Sequence, residues 1–181
     1  MLNAVAFSLF IVFLFTQDLT IHIDYLSEIY NRRYLEIELA KRIDHVNSNK
    51  SFSAIMADLV DFKKINDTYG HITGDEVIKK TAQLLKSCIH KKGLVSRYGG
   101  DEFFILLDSD KEDELNHIVG SISEALKQYN EHSCQPYHLK LSMGYAVYDY
   151  GLKMNASNYE THLDSLMYQS KILIKNKRVQ P

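Results

Sequence analysis

A pair of glycines set between two apolar runs constrains this chain more than any other feature. Leu94-Val95-Ser96-Arg97-Tyr98 precedes Gly99-Gly100, and Asp101-Glu102-Phe103-Phe104-Ile105-Leu106-Leu107 follows. Two strand-forming stretches joined by glycines predict a β-hairpin with a two-residue turn. Asp101 and Glu102 open the second strand, so the hairpin carries two carboxylates at its tip. A turn without Cβ atoms leaves room for a ligand to approach the backbone. Acids beside a phosphate-sized space point to metal-assisted phosphate chemistry.

The rest of the chain supplies elements to cover such a hairpin. Asn31 is placed to cap a helix whose apolar residues Leu35, Leu39, Ile43 and Val46 recur at three and four, ending in Asn47-Ser48-Asn49. Phe52 to Val60 reads as a buried strand with Asp58 as its only charge. A lone acid there is costly without a partner. Asp61 to Gly74 is polar and turn-rich, and Thr73 with Glu76 fits a capping box at the start of a second helix. After the hairpin come a helix with Leu115, Ile118, Val119, Ile122, Leu126 and Tyr129 on one face and a half-buried strand alternating through Leu139, Leu141, Met143, Tyr145 and Val147. Leu163, Leu166, Met167, Ser170 and Ile174 mark a final helix. The order predicts an α+β fold, a mostly antiparallel central sheet flanked by helices, with the acids at exposed strand ends.

At 181 residues and 45% hydrophobic content the chain suits one ordinary domain plus a short extra segment. A net charge of −2, with both signs mixed along the sequence, gives no footprint for nucleic acid. The two cysteines, Cys88 and Cys134, match no metal or redox spacing. Residues 1 to 17 carry no charged side chain, close to the lower limit of about 17 residues for crossing a bilayer. No basic residue precedes this run and no small-residue cleavage site follows it, which argues against a secretory signal. It reads as a membrane segment or the last piece of one, the alternative being a buried or oligomer-forming helix. The expected division is a hydrophobic segment over 1–20 and the folded domain over 21–181, held at the cytoplasmic face of the plasma membrane.

Asp58 near the end of one strand and Asp101 at the start of another meet if those strands are neighbours. Such a pair is a hard oxygen site for Mg²⁺ or Mn²⁺, the usual equipment of phosphoryl or nucleotidyl transfer. Glu102 reads either as a further ligand or as a sheet-edge charge paired with a lysine. Asp61-Phe62-Lys63-Lys64-Ile65-Asn66-Asp67 puts backbone N–H groups and two lysines just past Asp58, where a triphosphate on its metal would lie. Lys63 is the better placed of the two; the competing reading of this stretch is a solvated turn. Asn66, His71 and Asp75 supply an amide, an imidazole and a carboxylate. A carboxylate accepting from guanine N1–H and N2–H₂, complemented by an amide, reads that base, although Asp75 also fits a helix-dipole acid.

Taken together these residues resemble the GGDEF family, the diguanylate cyclases. Arg97-Tyr98-Gly99-Gly100-Asp101-Glu102-Phe103 matches the family signature intact. Asp24-Tyr25-Leu26-Ser27-Glu28 is similar to its opening motif, with Ser27 for the usual Thr and Glu28 for the usual Gly. Asp58 through Asp75, Ser142-Met143-Gly144-Tyr145-Ala146 and Leu163-Asp164-Ser165-Leu166-Met167-Tyr168-Gln169-Ser170-Lys171 continue the resemblance from about Asp24 to Arg178. It implies a fold similar to the nucleotidyl cyclase and polymerase palm, ferredoxin-like in architecture. It implies condensation of two GTP into cyclic di-GMP and pyrophosphate by a homodimer, each domain holding one GTP across a two-fold axis. Position by position, it implies that Asp58, the Leu59 carbonyl and Asp101 bind the metal and that Asp101 accepts the proton of the 3′-hydroxyl. It also implies that Phe62, Asn66, His71, Asp75, Gly99 and Gly100 handle the nucleotide, and that Lys63 and Lys171 meet the phosphates.

Three departures bear on activity. Val60 replaces the second Asp of the strand motif. The family's Lys-x-x-Gly-Arg reads Lys171-Ile172-Leu173-Ile174-Lys175, which puts Lys175 where an arginine fork meets phosphate. His90-Lys91-Lys92-Gly93 stands where many members carry an Arg-x-x-Asp product site. The alternative these departures leave open is a module that keeps the fold and GTP affinity but signals without turnover.

Overall fold

A computed structural model describes residues 5–9, 11, 22–46 and 51–176 of the chain. Its elements are β1 (Tyr30–Asn31), α1 (Arg32–His45), β2 (Ser53–Leu59), α2 (Phe62–Tyr69), α3 (His71–Ile89), β3 (Gly93–Arg97), β4 (Glu102–Leu107), α4 (Glu112–His132), β5 (Leu141–Val147) and α5 (Ala156–Asn176). One five-stranded sheet runs in the order β1-β3-β4-β2-β5. Every pairing is antiparallel except β1 with β3, so the mostly antiparallel sheet is strictly a mixed one. Residues 5–9 and 11 are helical, with Val5, Phe7, Leu9 and Ile11 exposed. The rest of the hydrophobic 1–20 segment lies outside the described residues. Among those described, no helix is long and apolar enough to cross a membrane.

Strand alternation sorts the core into two layers. Ile55, Ala57 and Leu59 of β2 join Phe103, Ile105 and Leu107 of β4 on the face covered by α3 and α4. Ala54 and Met56, with Phe104 and Leu106, face α1 and α5, where Leu35, Leu39, Tyr159, Leu163 and Met167 complete a second core. Because side chains alternate along a strand, Asp58 and Glu102 belong to this second face and point toward α5. They are direct partners in the β2–β4 register.

The sequence patterns locate the long elements and miss some detail. Asn31 caps α1 as expected, its Oδ1 accepting from the Tyr34 N–H at 3.0 Å; Asn47-Ser48-Asn49 lies outside the described residues. The polar stretch after β2, expected as a turn, contains α2. Asp61 takes left-handed backbone angles there, φ 62° and ψ 23°, and Ile65 alone of α2 is buried. Gly70, at φ 85°, closes α2 and opens α3 at His71, ahead of the expected start at Thr73. Thr73 Oγ1 donates to the Tyr69 carbonyl at 2.9 Å instead of capping, and Glu76 pairs with Lys79 at 3.0 Å. On β5 the period-two pattern predicts one wet face. Both are covered at the start of the strand, where Ser142 and Gly144 are buried as well as Leu141, whereas Tyr145 is exposed. A Cβ on Gly144 would collide with the backbone of Leu163 and Met167, so glycine is what lets α5 lie directly on the strand.

Candidate active site

The hairpin tip differs from the expected two-residue turn. Pairing of β3 with β4 stops at Arg97 opposite Phe103, and the N–H groups of Tyr98 and Gly99 both donate to the Glu102 carbonyl, at 2.8 and 3.3 Å. Asp101 therefore sits in the loop, and only Glu102 starts the strand. Neither glycine takes a positive φ. The Glu102 carboxylate folds over Gly99, in the space a Cβ there would enter.

Arg97 holds this loop in shape. Its Nε donates to the carbonyls of Gly99 and Gly100 at 3.1 and 3.2 Å, and Nη2 donates to Gly100 at 2.8 Å. Nη1 reaches Asp24, at 3.1 Å to Oδ1 and 3.3 Å to Oδ2, across the parallel β1–β3 junction. Asp24 accepts further from the Ser27 hydroxyl at 2.6 Å and the Ser27 N–H at 2.9 Å. Burial opposes ionisation of Asp24, yet the Ser27 bonds and the guanidinium outweigh it and hold the carboxyl below its ordinary value. Both side chains of the pair are largely buried. The clasp fastens the hairpin tip to the segment that leads into β1. A second tie lies beside it, where Tyr98 donates to Glu160 of α5 at 3.1 Å beneath the Arg32 guanidinium.

On the other side of the loop the charges do not balance. Asp58 is 6% exposed and accepts from Lys171 Nζ at 2.7 Å. The Leu59 N–H donates to the Asp101 carbonyl at 3.1 Å, tying the end of β2 to the loop. Burial, then the Asp58 charge, pushes the Asp101 carboxyl up; Lys171 and Arg97 offset only part of this. Burial, then Asp101, Asp58 and Asp164, pushes Glu102 up as well. Four acids thus act on one another around one lysine, an arrangement that favours an added cation.

Among the described residues, no three histidine, cysteine, aspartate or glutamate side chains converge as a ready-made metal cage. Asp58, Asp101 and the Leu59 carbonyl would offer a sparse hard-oxygen set of the kind that suits Mg²⁺. The raised carboxyls fit that role, since a cation there relieves their mutual repulsion. Glu102 is brought into the cluster as a direct neighbour of Asp58 and, among the described residues, forms no ion pair with a lysine.

The expected nucleotide residues gather at the next turn. Asn66 and Phe62 of α2 pack on Gly74 of α3, where a Cβ would collide with Asn66 Oδ1. That oxygen is buried and has no hydrogen-bond partner among the described residues. His71 and Asp75, four residues apart on one face of α3, are exposed, as is Lys63. Gly99 and Gly100 lie at the clasped loop. Lys171 reaches the acids, and the side chain of Lys175 lies outside the described residues. Sequence reasoning assigned no role to Asp24, Arg97 or Asp164, although all three stand inside matched motifs. Asp164 and Lys171 are seven residues apart on α5, two helical turns, so a heptad count places them on one face.

Compared with known families, residues 21–177 match the one described as "Diguanylate cyclase, GGDEF domain". The chain belongs to the GGDEF family. The GGDEF domain is 34% identical over 129 residues to "Diguanylate cyclase DosC" of Shigella sonnei, covering 70% of this chain and 28% of that protein. It is 31% identical over 162 residues to "Probable diguanylate cyclase DgcT" of Escherichia coli, covering 87% of this chain and 35% of that one. The chain therefore spans about a third of the length of these relatives. Among solved structures, a sensory box/GGDEF family protein from Caulobacter crescentus superposes with a TM-score of 0.70 at 28% identity, over 83% of this chain and 97% of that one. Two departures of this GGDEF domain acquire physical meaning. Ser27 keeps the hydroxyl that Asp24 accepts from. Glu28 stands in the left-handed region at φ 56°, where glycine is at ease.

Proposed function

We propose that this domain is one half-site of a diguanylate cyclase, condensing two GTP into cyclic di-GMP with release of pyrophosphate. The observation that carries the reading is the placement of Asp101 and Glu102 beside the end of β2, Glu102 directly opposite Asp58 in the strand register, with both hairpin carboxyls raised. Asp58, Asp101 and the Leu59 carbonyl would hold Mg²⁺ or Mn²⁺, which supplies charge neutralisation to the phosphate oxygens. Asp101 accepts the proton of the attacking 3′-hydroxyl, a role supported by its place in the loop beside the end of β2. Lys63 and Lys171 take the phosphates. Asn66 and Asp75 read guanine, a role supported by their place on adjoining helices, Asn66 packed on Gly74 and Asp75 exposed one position further along α3. A product with two equivalent phosphodiester bonds calls for two such half-sites face to face, hence a two-fold dimer. The uncharged run over residues 1–17 supports a place at the cytoplasmic face of the plasma membrane.

Incubating the dimeric protein with GTP and Mg²⁺ and analysing the products by mass spectrometry tests this. Cyclic di-GMP is expected. Binding of GTP without any product would overturn turnover and leave a signalling module.

A further inference from the structure

Asp58 is the one buried charged residue among those described, and its side chain already has a cation. Lys171 projects from α5 onto the face of the sheet where Asp58 and Glu102 lie. Met167, 5% exposed one turn earlier, fixes the helix against the strands. The ammonium stands 2.7 Å from Asp58 Oδ1, while the Lys171 side chain keeps 30% of its surface in solvent. A buried carboxylate with no partner is costly, and this contact supplies the partner. The same contact is an obstacle. A divalent cation on Asp58 would meet the ammonium at close range, and the two positive charges repel across a largely buried carboxylate.

We propose that Lys171 is the resident counter-ion of Asp58, holding the carboxylate in place until a divalent cation arriving with a nucleotide displaces the ammonium onto the phosphates. This rests on the reading of Asp58 as a metal ligand. The four-carbon stem and partial exposure of Lys171 permit the swing without movement of α5. Loss of one cation from Asp58 and gain of another is a near-even exchange. The bare metal therefore binds poorly, and the triphosphate, by giving the displaced ammonium a new anion, drives the exchange. Lys171 acts as a positioning residue before it touches substrate, and it couples metal binding to nucleotide binding.

The test measures Mn²⁺ binding by electron paramagnetic resonance of the free ion, at mildly alkaline pH, with and without guanosine α,β-methylene triphosphate. Wild type, Lys171→Met, Lys171→Gln and Asp58→Asn are compared, with circular dichroism to confirm folding. Removing the lysine is expected to tighten Mn²⁺ alone by about five- to tenfold, the scale of a partly buried ion pair. The same variants should bind the analogue with Mn²⁺ more weakly than wild type does. A lysine that only supports Asp58 would give weaker Mn²⁺ binding in both conditions, and one that only meets phosphate would leave Mn²⁺ alone unchanged. Either result overturns the proposal. Asp58→Asn separates the two levels. If it loses Mn²⁺ the metal reading stands whatever Lys171 does, whereas wild-type Mn²⁺ binding in Asp58→Asn overturns that reading and the counter-ion with it.

Discussion

The hairpin loop has two flanks, and they handle charge in opposite ways. On one, Arg97 and Asp24 share a largely buried pair in which each partner has several hydrogen bonds. On the other, Asp58, Asp101, Glu102 and Asp164 act on one another with Lys171 as the cation among them. The satisfied flank carries structure. The unsatisfied flank stores repulsion that a ligand can relieve, which is how a site differs from a brace. Stability and activity should therefore separate between the two flanks.

The largest effect is expected on the acidic flank. Asp101→Asn should lower cyclic di-GMP formation by about 10²- to 10⁴-fold, the span of a lost general base, and yet should not lower the melting temperature. The raised Asp101 carboxyl favours folding while it is protonated, a contribution complete below its unfolded value and lost as pH rises through the raised folded one. In metal-free protein the variant should thus melt above wild type at neutral pH, with the gain vanishing in acid. A melting temperature that drops at neutral pH would make Asp101 a structural residue and erase the contrast.

On the clasped flank the sign reverses. Arg97→Met should cost about 2–4 kcal/mol in urea denaturation, because it strands Asp24 and frees two glycine carbonyls. Asp24 has a lowered carboxyl, so its contribution is present above the unfolded value and lost as pH falls through the folded one. Asp24→Asn should accordingly be destabilising at neutral pH and approach wild type in acid. Parallel pH slopes for Asp24→Asn and Asp101→Asn would break the comparison.

The smallest effect concerns the turn beneath the clasp. Exposed Glu28 holds φ 56° with its N–H donating to the Asp24 carbonyl at 2.9 Å. Glu28→Gly should stabilise by about 0.5–1 kcal/mol, the relief of left-handed strain less the added chain entropy. Thermal melting is sensitive enough to register it. A loss of stability would mean that the Glu28 side chain contributes a contact worth more than the strain.

The same contrast explains what could be read in advance. Strands β2 and β4 and helices α3, α4 and α5 declared themselves through apolar periodicity, and the acids through their place in a glycine-flanked motif. Helix α2 hid because Lys63, Lys64, Asn66 and Asp67 read as a turn and only Ile65 is buried. Strand β1 is two residues long, too short for any pattern. The clasp was illegible because Asp24 and Arg97 are 73 positions apart and meet only through a parallel pairing with no local signature. Lys171 was visible as a phosphate lysine. Its hold on Asp58 depends on which face of β2 meets α5, and that follows from the packing of both layers.

Gly144 sets a clearance that the chemistry inherits. With no side chain between them, the backbone of α5 at Leu163 and Met167 rests on the backbone of β5, and any larger residue at 144 would act as a shim under the helix. The reach of Lys171 to Asp58 is measured from that seat, one helical turn beyond Met167. Raising the helix by the thickness of a methyl group would draw the ammonium away from the carboxylate without altering either residue. The tolerance of the contact between Lys171 and Asp58 is thus machined at a position that bears no charge at all.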